Sequence, residues 1–167
     1  MTTAITYCQR WNDKLGKPIE PITEAEARHR FSTDGPHWFT AVIGEAPEPD
    51  CAIELAAHAT VVKSFFYYPD RSIRYIYEFD KHDDQRLFLS TVIRYEYPDK
   101  PGWHGQNEAT LVEEIAYTPE GVCRITLDDT SKPTIEITDY RDVDVTPNWE
   151  AVPAFGDWAS LARRDRG

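Results

Sequence analysis

The sequence predicts an α+β, mainly β domain. It is a curved antiparallel sheet of about seven strands (a meander, half-barrel or barrel-like), with one short N-terminal helix and a C-terminal covering arm that ends in a short helix. Three observations predict it. Apolar residues recur with period two over most of the chain after residue 37. Short Pro, Gly and Asp segments separate these runs and read as turns. Thr23-Glu24-Ala25-Glu26 is a capping-box pattern, in which the Thr23 hydroxyl accepts from the Glu26 amide and Glu26 reaches back.

The capping box starts a helix over about 24–31, and Asp34-Gly35-Pro36 ends it. His37–Ile43 is the first strand, and the Pro- and acid-rich segment 44–50 is an exposed loop. Cys51–Tyr68 is too long for one strand. A bend near Ala56-Ala57 divides it, or a short helix occupies 52–59. Pro69–Ser72 turns the chain into an alternating strand, Ile73–Phe79. Asp80–Gln85 is a polar loop, and Leu87–Tyr97 is a long strand. A loop follows over 98–108. Strands at Leu111–Tyr117 and Cys123–Leu127 flank the tight turn Thr118-Pro119-Glu120-Gly121. Ile135–Ile137 adds a strand after the 128–133 turn, and Val143–Val145 a last short one.

The tail has its own pattern. Trp149, Val152, Phe155, Trp158 and Leu161 recur every three to four residues, while Pro147, Pro153 and Gly156 prevent one long helix. An extended arm that plugs a sheet face, then a short helix from Asp157, fits both facts. Arg163, Arg164 and Arg166 then sit near a helix C-terminus, where the helix dipole favours cations.

Length and composition suit one domain over 1–167, able to bury a core without disulfides. Cys8, Cys51 and Cys123 are odd in number, form no CxxC pair, and read as reduced buried thiols. No apolar run is long enough for a membrane helix, and Met1–Tyr7 lacks the basic and apolar regions of a secretory signal. A cytoplasmic, bacterial-type protein is the expectation.

The formal charge is -11, and residues 101–148 hold ten acidic against three basic side chains. Nucleic acid is excluded as a partner, because phosphate binding needs clustered Lys and Arg. A basic protein partner is the natural complement, although acidity that serves only solubility remains open.

Chemistry is harder to find. His29, His37, His58, His82 and His104 show no metal-ligand spacing, and no cofactor is implied. Gly102-Trp103-His104-Gly105 is the most unusual local feature. It reads as an ordinary loop whose Trp tucks onto the sheet, or as a binding loop. Aromatics at 65–68, with Tyr75, Tyr77, Tyr95 and Tyr97, put apolar mass on both faces of the sheet, so something must cover the second face. Arg74, Glu78, Arg86, Arg94 and Glu96 read as cross-strand ion pairs on one exposed face. Asp128 and Asp129 in one turn, with Asp139, Asp142 and Asp144 after the next strand, read as a negative rim at one end of the meander.

Without a catalytic motif, an enzyme is the less favoured reading. The leading expectation is a small acidic binding protein that neutralises a basic partner, as an immunity protein does a toxin. Its contact residues are Trp103, His104, Glu113, Asp128, Asp129, Asp139, Asp142 and Asp144. The alternatives are a small-molecule-binding β cup or cofactor-independent enzyme of isomerase, cyclase or hydratase type, and a structural or oligomeric domain.

Overall fold

The computed structural model describes residues 3–166; Met1, Thr2 and Gly167, the outermost residues of the 1–167 span, lie outside the described residues. The described residues are mainly antiparallel β with one α-helix. Its elements are β1 (Ile5–Asn12), β2 (Lys17–Pro21), α1 (Glu24–Ser32), β3 (Trp38–Ile43), β4 (Cys51–Ala56), β5 (Val62–Tyr67), β6 (Ile73–Lys81), β7 (Arg86–Glu96), β8 (Leu111–Tyr117), β9 (Cys123–Asp129), β10 (Glu136–Tyr140) and β11 (Trp149–Ala151). They form one open sheet of eleven strands, not about seven, in the order β10-β9-β8-β7-β6-β5-β4-β3-β1-β2, with β11 added on β7.

The extra strands have physical reasons for their weak signal. β1 buries Tyr7 and, on the other side, Cys8 and Trp11, so its alternation is blurred. β2 is a short edge strand with two prolines, Pro18 and Pro21. Val143–Val145 is not a strand, because the Val143 amide bonds to the Gly121 carbonyl. The last strand is β11, whose Trp149–Ala151 pairs with Arg86–Phe88 of β7. β8 takes the same edge of β7 further on, at Thr91–Glu96.

Local chemistry places the other elements. The Thr23 hydroxyl caps α1 by accepting from the Glu26 amide at 3.1 Å. The reciprocal half of the capping box is missing, because the Glu26 carboxylate pairs with Arg30 at 2.8 Å. The run 51–68 divides where expected: a single 3₁₀ turn over Ala57–Ala59 separates β4 from β5, with His58 and Ala59 at positive φ.

The first face of the sheet carries the main core. Phe39, Ile53, Leu55, Phe79, Leu87 and Leu89 are buried there beneath α1 and the tail. From α1, Ala27 and Phe31 enter this core. The tail contributes Phe155, Trp158 and Leu161, which makes it the expected plug. Full burial of a large side chain contributes roughly 1.5–3 kcal/mol. The plug is also latched by polar contacts. Ser64 Oγ donates to the Leu161 carbonyl at 2.8 Å, and the Tyr77 hydroxyl donates to the Arg164 carbonyl at 2.7 Å.

The expected helix after Asp157 does not form. The Leu161 and Ala162 amides both bond to the Trp158 carbonyl, which closes one turn and no more. The arginines that follow are therefore not helix-terminal charges. Arg163 and Arg166 turn back to Glu150 at 2.7 and 2.5 Å, and the Arg166 guanidinium lies over the Tyr77 and Phe79 rings.

The second face is covered by two other pieces. β1 pairs with β3 only through Ile5–Cys8, and its remainder pairs with β2. The β1–β2 hairpin crosses this face, so that Trp11 packs with Val42 and Ala52. The 98–110 loop covers the rest, and the Lys14 ammonium of the hairpin turn lies 5.3 Å from the Trp103 ring centre. The strand charges do not share one face. Glu78 pairs with Lys63, whereas Arg94 pairs with Glu96 and Glu113, and Arg86 with Asp83 in its own turn. Alternation puts Glu78 and Arg94 on opposite sides, since Arg94 faces Tyr75 across the β6–β7 ladder.

Candidate functional site

Two regions compete as the site: the acidic strands β8–β10, and the cavities where the hairpin and loops meet the sheet.

On the acidic strands the eight expected contact residues do not gather in one place. Asp128 and Asp129 end β9, and the Thr130 amide ties this end to the Thr110 carbonyl beside the 98–110 loop. Asp139 pairs across the ladder with Arg124, at the other end of β9. Asp142 and Asp144 follow it toward the Gly121 turn. Five residues at ~3.4 Å each separate the two ends by about 17 Å. The acids therefore form a strip along the hairpins and not one rim. Glu113 lies between the ends and is engaged by Arg94 at 3.1 Å.

Several of these carboxylates are held in place. Arg124 grips Asp139 through two nitrogens at 2.7 and 2.9 Å, and this keeps the Asp139 carboxyl below its ordinary range. The Ser131 hydroxyl and amide do the same for Asp129, as does Thr146 for Asp144. Asp128 and Glu114 have no ion pair among the described residues.

The outermost strand is the most distinctive part of this surface. Every residue of β10 is exposed. Ile137 and Tyr140 are 61% and 49% exposed, and Ile135 just before the strand is 56% exposed. β10 pairs with β9 alone, so its outer backbone groups face outward.

The Trp-His loop turns inward. His104 is only 8% exposed; its ring stacks on Tyr97 at 5.6 Å, and its Nε2 donates to the Lys100 carbonyl at 2.9 Å. Its amide donates to Ser72 Oγ at 2.8 Å. These bonds make His104 a fastening for the loop and take its ring off the accessible surface. Trp103 is half-buried, with its indole N–H enclosed and without an acceptor among the described residues.

Beneath this loop lies a feature the sequence reading did not single out. A cavity of about 140 Å³ is bounded by Trp11, Asp13, Glu54, Tyr67 and Gln106. Glu54 stands between Thr40 of β3 and Lys63 of β5 on the second face. Lys63 turns away to Glu78 at 2.7 Å. Burial pushes the Glu54 carboxyl above its ordinary range, against the opposing charges of Lys63 and Arg10. Burial also pushes the Tyr67 hydroxyl well up. A carboxylic acid of this kind can pass a proton to a neighbouring group. The space suits water or a very small ligand, since typical ligand sites measure roughly 300–1,000 Å³. One signal was legible: Glu54 interrupts the otherwise apolar run Cys51–Leu55.

A wider groove of about 510 Å³ runs along Tyr68, Tyr97, Lys100 and His104. Its two tyrosines are committed, Tyr68 to the Tyr95 carbonyl at 2.9 Å and Tyr97 to the Ile73 carbonyl at 2.8 Å. Among the described residues, no three His, Cys, Asp or Glu side chains converge as metal ligands. No described helix is long and apolar enough to cross a membrane. Family models, curated proteins and solved structures were each compared with the chain, and none matches.

Proposed function

We propose that this chain is a protein-binding domain that occupies and neutralises a basic partner, in the manner of an immunity protein acting on a toxin domain. The observation that carries the reading is β10, a fully exposed edge strand that sets Ile135, Ile137 and Tyr140 among carboxylates. Free edge strands accept a partner strand through main-chain bonds, while alternate side chains supply specificity. The excess acid beside it steers a cationic partner and raises the association rate. Asp128, Asp129 and Trp103 then flank one end of the contact, and Asp139, Asp142 and Asp144 the other. Glu113 contributes to the field between them, and His104 acts by holding the loop.

The test uses as its probe a basic protein recovered on this chain by pull-down from the native lysate. Association is followed by surface plasmon resonance at about 50 and 200 mM salt, where screening changes strongly. The on-rate falls with salt for the native chain. It falls further for Asp128→Lys/Asp129→Lys, and Ile137→Lys speeds dissociation. Binding that ignores both salt and charge reversal sinks the electrostatic reading.

A second reading rests on Glu54. A carboxyl that burial pushes above its ordinary range, beside Tyr67 in a small cavity, suits a small-molecule binder or a cofactor-independent enzyme. Loss of turnover or ligand binding in Glu54→Gln, with β10 variants unaffected, would favour it over the first.

A further inference from the structure

The chain carries a large negative charge, yet one end of its sheet gathers arginines. Arg71 of the β5–β6 turn, Arg74 of β6 and Arg164 of the tail line a cavity of about 390 Å³. Trp11, Tyr67 and Tyr68 supply flat walls. Glu48 and Asp50 stand in the same wall, but neither pairs with an arginine there within ion-pair distance.

We propose that this cavity binds a small oxyanion, a carboxylate or phosphate, carried on a planar ring. The pairing of charges is the first argument. Arg71 and Arg74 have no ion pair among the described residues, although the sequence offers 29 acidic side chains. Arg164 reaches only its neighbour Asp165, at 3.8 Å.

The second argument is an acceptor left out. Arg71 Nε is buried and has no hydrogen-bond partner among the described residues. A buried donor without an acceptor costs free energy, and the Arg71 guanidinium makes no side-chain hydrogen bond among the described residues, so its fork is uncommitted where it lines the cavity. A guanidinium fork is shaped for two oxygens of one carboxylate or phosphate.

The third argument is conformation. Arg71 sits at φ 72, where a side chain is disfavoured and glycine is usual. The turn is nevertheless over-determined. The Arg71 amide bonds to the Tyr68 carbonyl at 2.9 Å, and the Ser72 amide to Asp70 Oδ1 at 2.9 Å. Ser72 Oγ holds the His104 amide from the other side. Arg74 is set by the Tyr68 and Tyr75 rings, each 5.3 Å from its guanidinium carbon. Among the side chains that line the cavity three guanidiniums outweigh two carboxylates by one charge, while Asp165 points into solvent at 94% exposure, and this suits a ligand carrying a single compact anionic group.

Phenyl phosphate and benzoate are the probes, with inorganic phosphate as the control that lacks a ring. Titration calorimetry of the full chain is expected to give saturable binding of phenyl phosphate or benzoate, with Kd of roughly 1 mM or below. Inorganic phosphate binds more weakly, and the stronger of the two ring probes identifies the anion. Arg74→Gln and Arg164→Gln each weaken binding about tenfold or more, and Arg141→Gln, just past the end of β10 and not in the cavity lining, leaves it unchanged. Arg164 is held through its carbonyl, so its variant keeps the fold, which thermal melting verifies. In the native chain the Arg71 Nε–H resonance shifts on saturation. Absence of saturation by either ring probe up to about 20 mM overturns the proposal. So does equal weakening by Arg141→Gln, the mark of unspecific attraction.

Discussion

The indole nitrogen of Trp158 donates to the hydroxyl of Tyr7 at 3.3 Å, joining the first strand to the tail inside the core. Trp158 also meets Phe31 and Phe155 edge-on at 5.5 and 5.4 Å. Trp158→Ala is expected to cost about 3–5 kcal/mol, as large-to-small changes in a packed core do. Trp158→Phe keeps most of the packing and loses the bond, at about 1 kcal/mol. Urea unfolding midpoints read both values. Similar midpoints for Trp158→Ala and the native chain would show that the tail is not part of the folded unit.

Glu150 is the anchor of the tail arginines. Its carboxylate and the Arg166 guanidinium are both nearly enclosed, whereas Arg163 is half in solvent. Glu150→Ala leaves an enclosed guanidinium unpaired and is expected to cost about 3 kcal/mol or more. Arg163→Ala removes only the outer partner and costs under about 1 kcal/mol. Equal losses in the two variants would contradict this ranking.

The Glu54 carboxyl holds its proton more tightly in the folded state than in the unfolded chain. The folded state then binds more protons than the unfolded one as pH rises past the ordinary glutamate range, so stability falls through that interval and stays lower above it. Glu54→Gln is expected to flatten that fall and to be more stable than the native chain at neutral pH. Asp129, Asp139 and Asp144 act in the opposite sense and at lower pH, because their carboxyls are held below the ordinary range. Melting temperatures from about pH 2 to about pH 8 separate the two limbs. Identical profiles for native and variant would remove Glu54 as the cause.

Cys8, Cys51 and Cys123 are all buried and free. Burial pushes the Cys8 thiol up to about 11, and the other two also move upward. The thiolate is the reactive form, so a thiol reagent at neutral pH is expected to label none of them in the folded chain. All three react in denaturant. Fast labelling of a native thiol would reveal local opening near that strand.

Alternation made β3 through β10 readable in the sequence, together with α1 and the covering tail. It failed at β1, where both faces of the strand are buried, and at β2, where prolines mask an edge strand. The helix expected after Asp157 followed from apolar spacing. That spacing instead serves an arm packed beside α1 on the same face of the sheet. The acidic residues were visible, but their separation along β9 depends on which carboxylate faces Arg124, a matter of register. The arginine cavity lay beyond sequence reasoning. Arg74 and Arg164 are distant along the chain and meet only because the tail returns to the end of β6.

The covering tail also bears on how the molecule is made. Trp158 and Leu161 emerge from the ribosome after every strand they cover. Domains assemble from the N-terminal side during synthesis, and exposed apolar surface at that stage invites aggregation. The nascent sheet therefore waits with Phe39, Leu55 and Leu87 bare on one face, a window in which a chaperone or a like chain competes for the berth of the tail.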